Sequence, residues 1–361
     1  MRRTSVTSVY IFGAGATRGA FSERRQPPPT DTDFFDGVKN IKGHGTGRLA
    51  REVLNSVWEL YGRTSGISLE RYYRDIETRA KILEFAKPAN QPKNWLKRTD
   101  QLQELIRRTY IQTTCESARN EMTPVKSAPH QAILRKLRSG DTIITYNYDL
   151  TIEEAFDNAD LWNPVDGYGV VVQGKTHDWC RKWLEDRRAS IKCKSKVLYL
   201  KLHGSLNWVL YKNKRIKLKP RPYYVRMRKG APLSEKVSVL APGWNKRIDQ
   251  VPYNSFWREA RRRLENCKKL VVIGYSLPET DLLAQALFYE IVRQRAVIKN
   301  YFSEVHFVDP NEAVRKRFLE LLTPALGATS KVLMSDGIND YVKKIGAEYK
   351  PSSVIKGKGR A

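Results

Sequence analysis

Four short segments, far apart in this 361-residue chain, each join an apolar, strand-like run to small or polar residues. They are Ser8–Thr17 (SVYIFGAGAT), Thr145–Asp149 (TYNYD), Leu200–Ser205 (LKLHGS) and Leu270–Leu277 (LVVIGYSL). Open α/β sheets hold their ligands outside the carboxyl ends of the strands. Four strand ends of this kind in one chain therefore point to a single crevice at the edge of such a sheet.

The rest of the chain has the alternation that this sheet requires. A first strand at about 7–12 leads through Gly13-Ala14-Gly15 into a turn. Gln26-Pro27-Pro28-Pro29-Thr30 and Asp33-Phe34-Phe35-Asp36 then read as a loop that excludes regular helix, since proline lacks a donor and clashes with the preceding turn. Leu49, Val53, Val57 and Leu60, then Leu69, Tyr72 and Ile76, and later Leu102, Leu105 and Ile106, recur at helical spacing. They predict a helical insertion over about 47–125, broken near 87–92. A strand over 141–146 and a helix over 150–158 follow. Strands over 197–202 and 206–211, the second opening a hairpin, lie within an unusually basic stretch. From 256 onward helices (256–266, 279–295, 312–322, 338–345) alternate with strands (269–273, 304–308, 331–334). This βαβ order predicts an α/β fold: a Rossmann-like parallel sheet flanked by helices, forming one domain over 1–349. The domain carries the helical insertion and a basic insertion over about 178–229. A basic tail, 350–361, is expected to be disordered. No internal repeat is present.

The chain holds 65 Lys+Arg against 38 Asp+Glu, a net charge of +27. That surplus favours contact with a polyanion such as nucleic acid, anionic lipid or an acidic protein partner, and the basic stretch from Arg181 to Lys229 is the candidate surface for a partner, self-assembly or nucleic acid; a solvated basic face is the alternative. The four cysteines (Cys115, Cys180, Cys193, Cys267) form no close pair. This spacing excludes the usual structural zinc site, no metal is expected, and so few thiols suit a reducing compartment. The basic start runs into only a strand's length of apolar residues, which is too short for a signal peptide, and no segment is long enough to span a bilayer. The expected location is cytoplasmic, with no membrane contact.

Each of the four strand ends carries specific chemistry. Gly13-Ala14-Gly15 allows backbone to approach a pyrophosphate, with Thr17 as a hydroxyl donor; a bare strand-to-helix turn is the alternative. Asp309, at the end of a later strand, stands where dinucleotide folds bind ribose hydroxyls. Asn311 shares that option, although Asp309-Pro310-Asn311 is also an ordinary turn. His203 follows an apolar strand and suits general-base work near neutral pH, against the alternative of a structural histidine. Asn147 offers an amide that can hold a water or a ribose hydroxyl, or serve only as a turn residue.

Taken in order, Gly13-Ala14-Gly15-Ala16-Thr17, Thr145-Tyr146-Asn147-Tyr148-Asp149, Leu202-His203-Gly204 and Gly274-Tyr275-Ser276-Leu277 resemble the sirtuins, which carry GAG-x-S, T-Q-N-x-D, H-G and G-T-S-L in that sequence. The closer resemblance is to the sirtuin-like prokaryotic NAD hydrolases of antiphage defence. It rests on Pro27-Pro28-Pro29-Thr30, Asp33-Phe34-Phe35, Asn147-Tyr148-Asp149, Leu202-His203-Gly204-Ser205-Leu206-Asn207-Trp208 and Ile273–Asp281 (IGYSLPETD), and it covers about residues 7–345.

The resemblance implies an NAD glycohydrolase with Asn147, His203 and Asp149 as catalytic residues. It implies NAD binding, as substrate, by Gly13, Ala14, Gly15, Thr17, Gly274, Ser276 and Asp309. The zinc cysteine pairs and the arginine-containing loop of sirtuin deacylases are missing, which speaks against protein deacylation; deacylase and non-catalytic nucleotide-sensing or nucleic-acid-binding readings are the alternatives. The resemblance further implies a conditional, NAD-depleting effector of abortive infection, controlled by homo-oligomerisation or by a partner of the HerA-like ATPase or Argonaute type.

Overall fold

The computed structural model describes residues 7–41, 46–63, 66–85, 92–118, 121–158, 161–170, 172–173, 194–210, 216–218, 237–239 and 252–346. Most of the basic stretch 178–229 and the tail 350–361 lie outside them.

In chain order the first elements are β1 (Ser8–Phe12), α1 (Ala14–Ala20), α2 (Phe34–Lys39), α3 (Thr46–Tyr61), α4 (Leu69–Phe85), α5 (Pro92–Thr114), β2 (Cys115–Ala118), β3 (Glu121–Pro124), α6 (Ala128–Leu134), β4 (Thr142–Thr145) and α7 (Thr151–Ala155). There follow β5 (Val172–Gln173), β6 (Leu198–Lys201), β7 (Gly204–Leu210), β8 (Ile216–Leu218), β9 (Val237–Val239) and α8 (Tyr253–Asn266). The chain then alternates through β10 (Lys269–Ile273), α9 (Leu282–Val297), β11 (Phe302–Val308), α10 (Glu312–Leu322), β12 (Leu326–Ser335) and α11 (Ile338–Lys344).

Six of these strands form one all-parallel sheet in the order β12-β11-β10-β1-β4-β6. The central strands β1, β4 and β10 are buried along almost their whole length, as expected of a sheet covered on both faces. Helices α1, α6, α7 and α11 pack with one another, and α8, α9 and α10 form a second group. The sheet is therefore the middle of three layers. From β1 the chain moves outward through β4 and β6; from β10 it moves the other way through β11 and β12. The reversal falls between β1 and β10, and a crevice opens at such a switch point.

The helical insertion is present as α3, α4 and α5, closed by the β2–β3 hairpin. It has its own apolar core, in which Val53, Val57, Tyr72, Ile76, Leu102, Leu105 and Ile106 are buried together with Phe34, Phe35 and Val38. Tyr148 and Leu206 join that core, which ties the insertion to the sheet close to the crevice. A smaller sheet, β5-β8-β7-β9, contains the expected hairpin as the antiparallel pair β7–β8.

Three local readings change. Phe34-Phe35-Asp36 begins a short helix rather than continuing the loop, because the prolines end before Asp33. Gly15 lies inside the first turn of α1, not in a free turn. Helix α9 starts at Leu282, three residues later than expected, because Pro278 and the Asp281 cap hold 278–281 as a turn. Among the described residues, no helix is long and apolar enough to cross a membrane.

Candidate active site

A cavity of about 740 Å³ opens at the carboxyl ends of the sheet strands. Its walls are Ala14 and Gly15 after β1, Tyr146, Asn147 and Tyr148 after β4, His203 after β6, Gly274–Ser276 after β10, Asp309–Asn311 after β11, and Asp336 and Gly337 after β12. The volume suits a ligand of dinucleotide size. Asp31 and Thr30 from the proline-rich loop and Leu69, Glu70 and Tyr110 from the insertion complete the wall.

At the corner where β1 meets β10, two loops touch backbone to backbone. The Gly13 amide donates to Ile273 O (3.0 Å) and the Gly15 amide to Gly274 O (2.9 Å). A Cβ on Gly13 would stand 2.4 Å from Gly274 O, and one on Gly274, whose φ is +58°, would stand 2.0 Å from the Ala16 nitrogen. The glycines are thus required first by loop contact. The amides of Gly13, Gly15 and Ala16 are all engaged inside the protein, the last by Gly13 O, so these three do not form a ready phosphate cradle.

Behind this corner runs a short chain of hydrogen bonds. Asn147 Nδ2 donates to Gly13 O (3.0 Å) and to Thr17 Oγ1 (3.2 Å), and Thr17 Oγ1 donates to Asp149 Oδ2 (3.2 Å). Asp149 Oδ1 accepts the Thr151 amide (2.9 Å) at the start of α7. Asn147 lines the cavity, whereas Gly13, Thr17 and Asp149 stand behind its wall. Asp149 therefore acts on the site through Thr17 and Asn147. Beneath the same loop Lys201 Nζ donates to Asp149 O and, at 2.9 Å, to Glu153 Oε1, both side chains being fully buried. Burial pushes the Glu153 carboxyl up, opposed by Lys201.

His203 is almost completely buried, with its ring edge-on to Tyr146 (centroids 5.1 Å apart) and tilted over Tyr148 and Trp257. Its Nε2 lies 3.4 Å from Asp281 Oδ2. Tyr146 in turn stacks on Tyr275 at 4.2 Å, and the Tyr275 hydroxyl donates to Asp281 Oδ2 (3.2 Å). Across the cavity, Asp309 accepts the Asn311 amide (2.9 Å), and Asn311 caps α10 through the Ala313 amide (2.9 Å). Burial raises the Asp309 carboxyl above the usual carboxylate range. Ser276 faces the cavity, and its carbonyl accepts from Arg317.

A family model described as a SIR2-like domain matches residues 141–295. That part of the chain is similar to a SIR2-like domain. The matched segment runs from β4 to α9 and contains Asn147, His203, Gly274 and Asp281; the glycine loop after β1 and the strands β11 and β12 lie outside it. Two solved structures align with most of the chain at low similarity. One is a triple mutant of Sir2 homologues in complex with 2'-O-acetyl ADP ribose, at 14% identity and TM-score 0.41, covering 95% of this chain and 93% of the other. The second, described as the structural basis for the mechanism and regulation of Sir2 enzymes, is 14% identical with TM-score 0.38, covering 96% and 95%. No curated protein matches the sequence. The SIR2-like domain supports an NAD-dependent, sirtuin-type activity.

Within this site, sequence reasoning missed two acidic residues. Asp281 was visible in the GYSLPETD run but gave no sign that its carboxylate would face His203. Glu70, in the insertion, accepts from Thr280 Oγ1, and its amide donates to Asp31 Oδ1 (2.8 Å), which no local pattern reveals. Among the described residues the cavity lining is acidic although the chain is strongly basic: Asp31, Glu70, Asp281, Asp309, Asp336 and Asp340 line it, with Arg18 the one lysine or arginine there. Among the described residues no cluster of His, Cys, Asp or Glu could hold a metal ion. Cys115 and Cys267 are buried free thiols, and burial pushes Cys267 up to about 12; Cys180 and Cys193 lie outside the described residues.

Proposed function

We propose that the protein is an NAD glycohydrolase that cleaves the nicotinamide–ribose bond with water as acceptor. The observation that carries this reading is the convergence of Asn147 and His203, from two different strand ends, on one cavity of dinucleotide size. When the C1′–N bond breaks, its electron pair goes to the ring nitrogen, so a cationic nicotinamide leaves neutral and positive charge develops on the ribose. Water then adds to C1′ and loses a proton, giving nicotinamide, ADP-ribose and one proton. Because the leaving group starts as a cation, no general acid is needed.

Both amide protons of Asn147 are engaged by Gly13 and Thr17, so Oδ1 is what it offers a ligand: an acceptor for a ribose hydroxyl or for the attacking water. His203 serves as the base on the ribose side. The carboxylates Asp31, Glu70 and Asp281 in the cavity wall favour the positive charge of the substrate ring and of the transition state. Gly15, Gly274, Ser276 and Asp309 line the same cavity, and in this reading they contact the remainder of the dinucleotide.

The test is NAD consumption with products separated by chromatography. Wild type should release nicotinamide and ADP-ribose, and Asn147→Ala and His203→Ala should each lose roughly 10²–10⁴-fold in rate while remaining folded by circular dichroism. Near wild-type turnover in both variants would refute the assignment.

The motif resemblance supports a biological role as an NAD-depleting effector of antiphage defence, silent until triggered by self-assembly or by a HerA-like ATPase or Argonaute-type partner. The net charge of +27 supports a nucleic-acid contact. Cellular NAD should fall during phage challenge in cells carrying the wild type and stay level with His203→Ala; equal NAD in both would remove the defence role.

A further inference from the structure

Asp281 occupies the N-cap of α9, and its two carboxylate oxygens have separate partners. Oδ1 accepts the Ala284 amide (3.4 Å), the usual capping bond. Oδ2 accepts the Tyr275 hydroxyl (3.2 Å) and faces His203 Nε2 at 3.4 Å. A cap alone asks for none of this. Serine or asparagine caps as well as aspartate, and caps ordinarily sit in water, whereas Asp281 is only 1% exposed. A buried carboxylate is costly unless charge or hydrogen bonds compensate it, so its burial beside an imidazole calls for a reason beyond helix initiation.

The preceding loop delivers that carboxylate. Leu277 adopts a left-handed conformation (φ +48°), uncommon for a residue with a branched side chain, and the Asp281 amide closes a turn onto Pro278 O (3.0 Å). Pro278 O also accepts from Gln285 Nε2 (2.9 Å), which locks the turn to the first turns of α9. Asp281 is thereby held by helix, turn and Tyr275 together.

We propose that Asp281 is a positioning residue for His203, its carboxylate accepting a hydrogen bond from Nε2–H so that Nδ1 is the acceptor nitrogen of the ring. This rests on the reading of His203 as the ribose-side base. The carboxylate fixes the tautomer and stabilises the imidazolium that forms when the base takes a proton. Among the described residues, Tyr146 and Tyr148 from the loop after β4, Trp257 from α8 and Asp281 from the loop after β10 face the ring, with Tyr275 beside Tyr146 and Asp281, and Glu70 of α4 beside Tyr148. Burial drives the three phenols far above their ordinary value, so near neutral pH the charges acting on His203 from these groups are the carboxylates.

Asp281→Asn keeps a capping oxygen and the side-chain volume but removes the charge. The rate of NAD hydrolysis should fall roughly 10²–10⁴-fold. The acidic limb of its kcat/KM profile should move to lower pH by roughly 1–3 units, because an imidazole without its carboxylate protonates less readily. The same downward move should appear in the His203 titration followed by NMR of histidine-labelled protein, with the His203→Ala spectrum assigning the resonance. Asp281→Ser, which also retains a capping oxygen, is the second variant should the first fold poorly. An unmoved His203 midpoint in a folded variant overturns the proposal whatever the rate. If wild type hydrolyses no NAD, the NMR titration still decides the pairing, so failure of the enzymatic reading and failure of the Asp281–His203 relation remain distinguishable.

Discussion

Gly274 O accepts the amide of Gly15 at 2.9 Å, and at that point the loops leaving β1 and β10 meet with no side chain between them. This contact closes the sheet side of the cavity and sets the distance between its two central strand ends. It also decides which substitutions the site tolerates.

Gly274→Ala should be among the most destabilising single changes in the protein. It forces a Cβ to within 2.0 Å of the Ala16 nitrogen at a residue with φ +58°. We expect a loss of more than about 3 kcal/mol, or failure to fold, read by urea denaturation. Gly15→Ala, with its nearest contacts at 2.9 and 3.0 Å, should cost less than Gly274→Ala. The reverse order would show that the loop contact does not govern stability.

Thr17 joins Asn147 to Asp149 through one hydroxyl that accepts from the first and donates to the second. Thr17→Val keeps the shape and removes both bonds, and should lower NAD hydrolysis about 10-fold, the kinetic equivalent of one lost hydrogen bond. Thr17→Ser preserves the hydroxyl and should stay close to wild type. Equal rates for Val and Ser would mean that the relay does not hold Asn147 in place.

The fully buried Lys201–Glu153 pair lies under the TYNYD loop, and Tyr168 and Tyr199 also donate to Glu153. Lys201→Met should cost roughly 3–5 kcal/mol by leaving a buried carboxylate without its cation. The double change Lys201→Met with Glu153→Leu should recover much of the loss. Denaturation of the two single variants and the double variant measures the coupling, and additive losses would contradict it.

His130 is completely buried, its Nδ1 within 2.6 Å of Ser127 Oγ, and burial lowers its pKa to about 4. The folded protein keeps this ring neutral while the unfolded chain takes up a proton near 6.5. The stability associated with the neutral ring is therefore complete above pH 6.5 and is lost as pH falls from there toward 4, by up to about 1.4 kcal/mol per pH unit. His306, also lowered by burial, acts in the same direction. Stability measured between pH 7 and 4 should fall less steeply in His130→Gln than in wild type. An unchanged slope would mean that His130 titrates alike in both states.

The strands and their ends could be read directly. Continuous apolar runs such as Leu270–Ile273 announce buried parallel strands, and the small or polar residues that follow announce where the chain leaves the sheet. Asn147, His203, Gly15 and Asp309 are legible on that basis, Gly274 and Ser276 through the motif resemblance, and all six line the cavity. Periodicity likewise located the insertion, because a helix face must match one core.

What local pattern does not encode is which strand end meets which. The sheet order sets Gly274 on Gly15, turns Asp149 away from the cavity toward Thr17, and brings Asp281 to His203 and Glu70 to Thr280. Each of these contacts joins residues far apart in the chain, and its geometry depends on strand pairing, on a left-handed residue at Leu277 and on how the insertion seats over Tyr148. Residue type carries the chemistry that a side chain can perform. Only the assembled sheet decides whether that side chain faces the substrate or supports the residue that does.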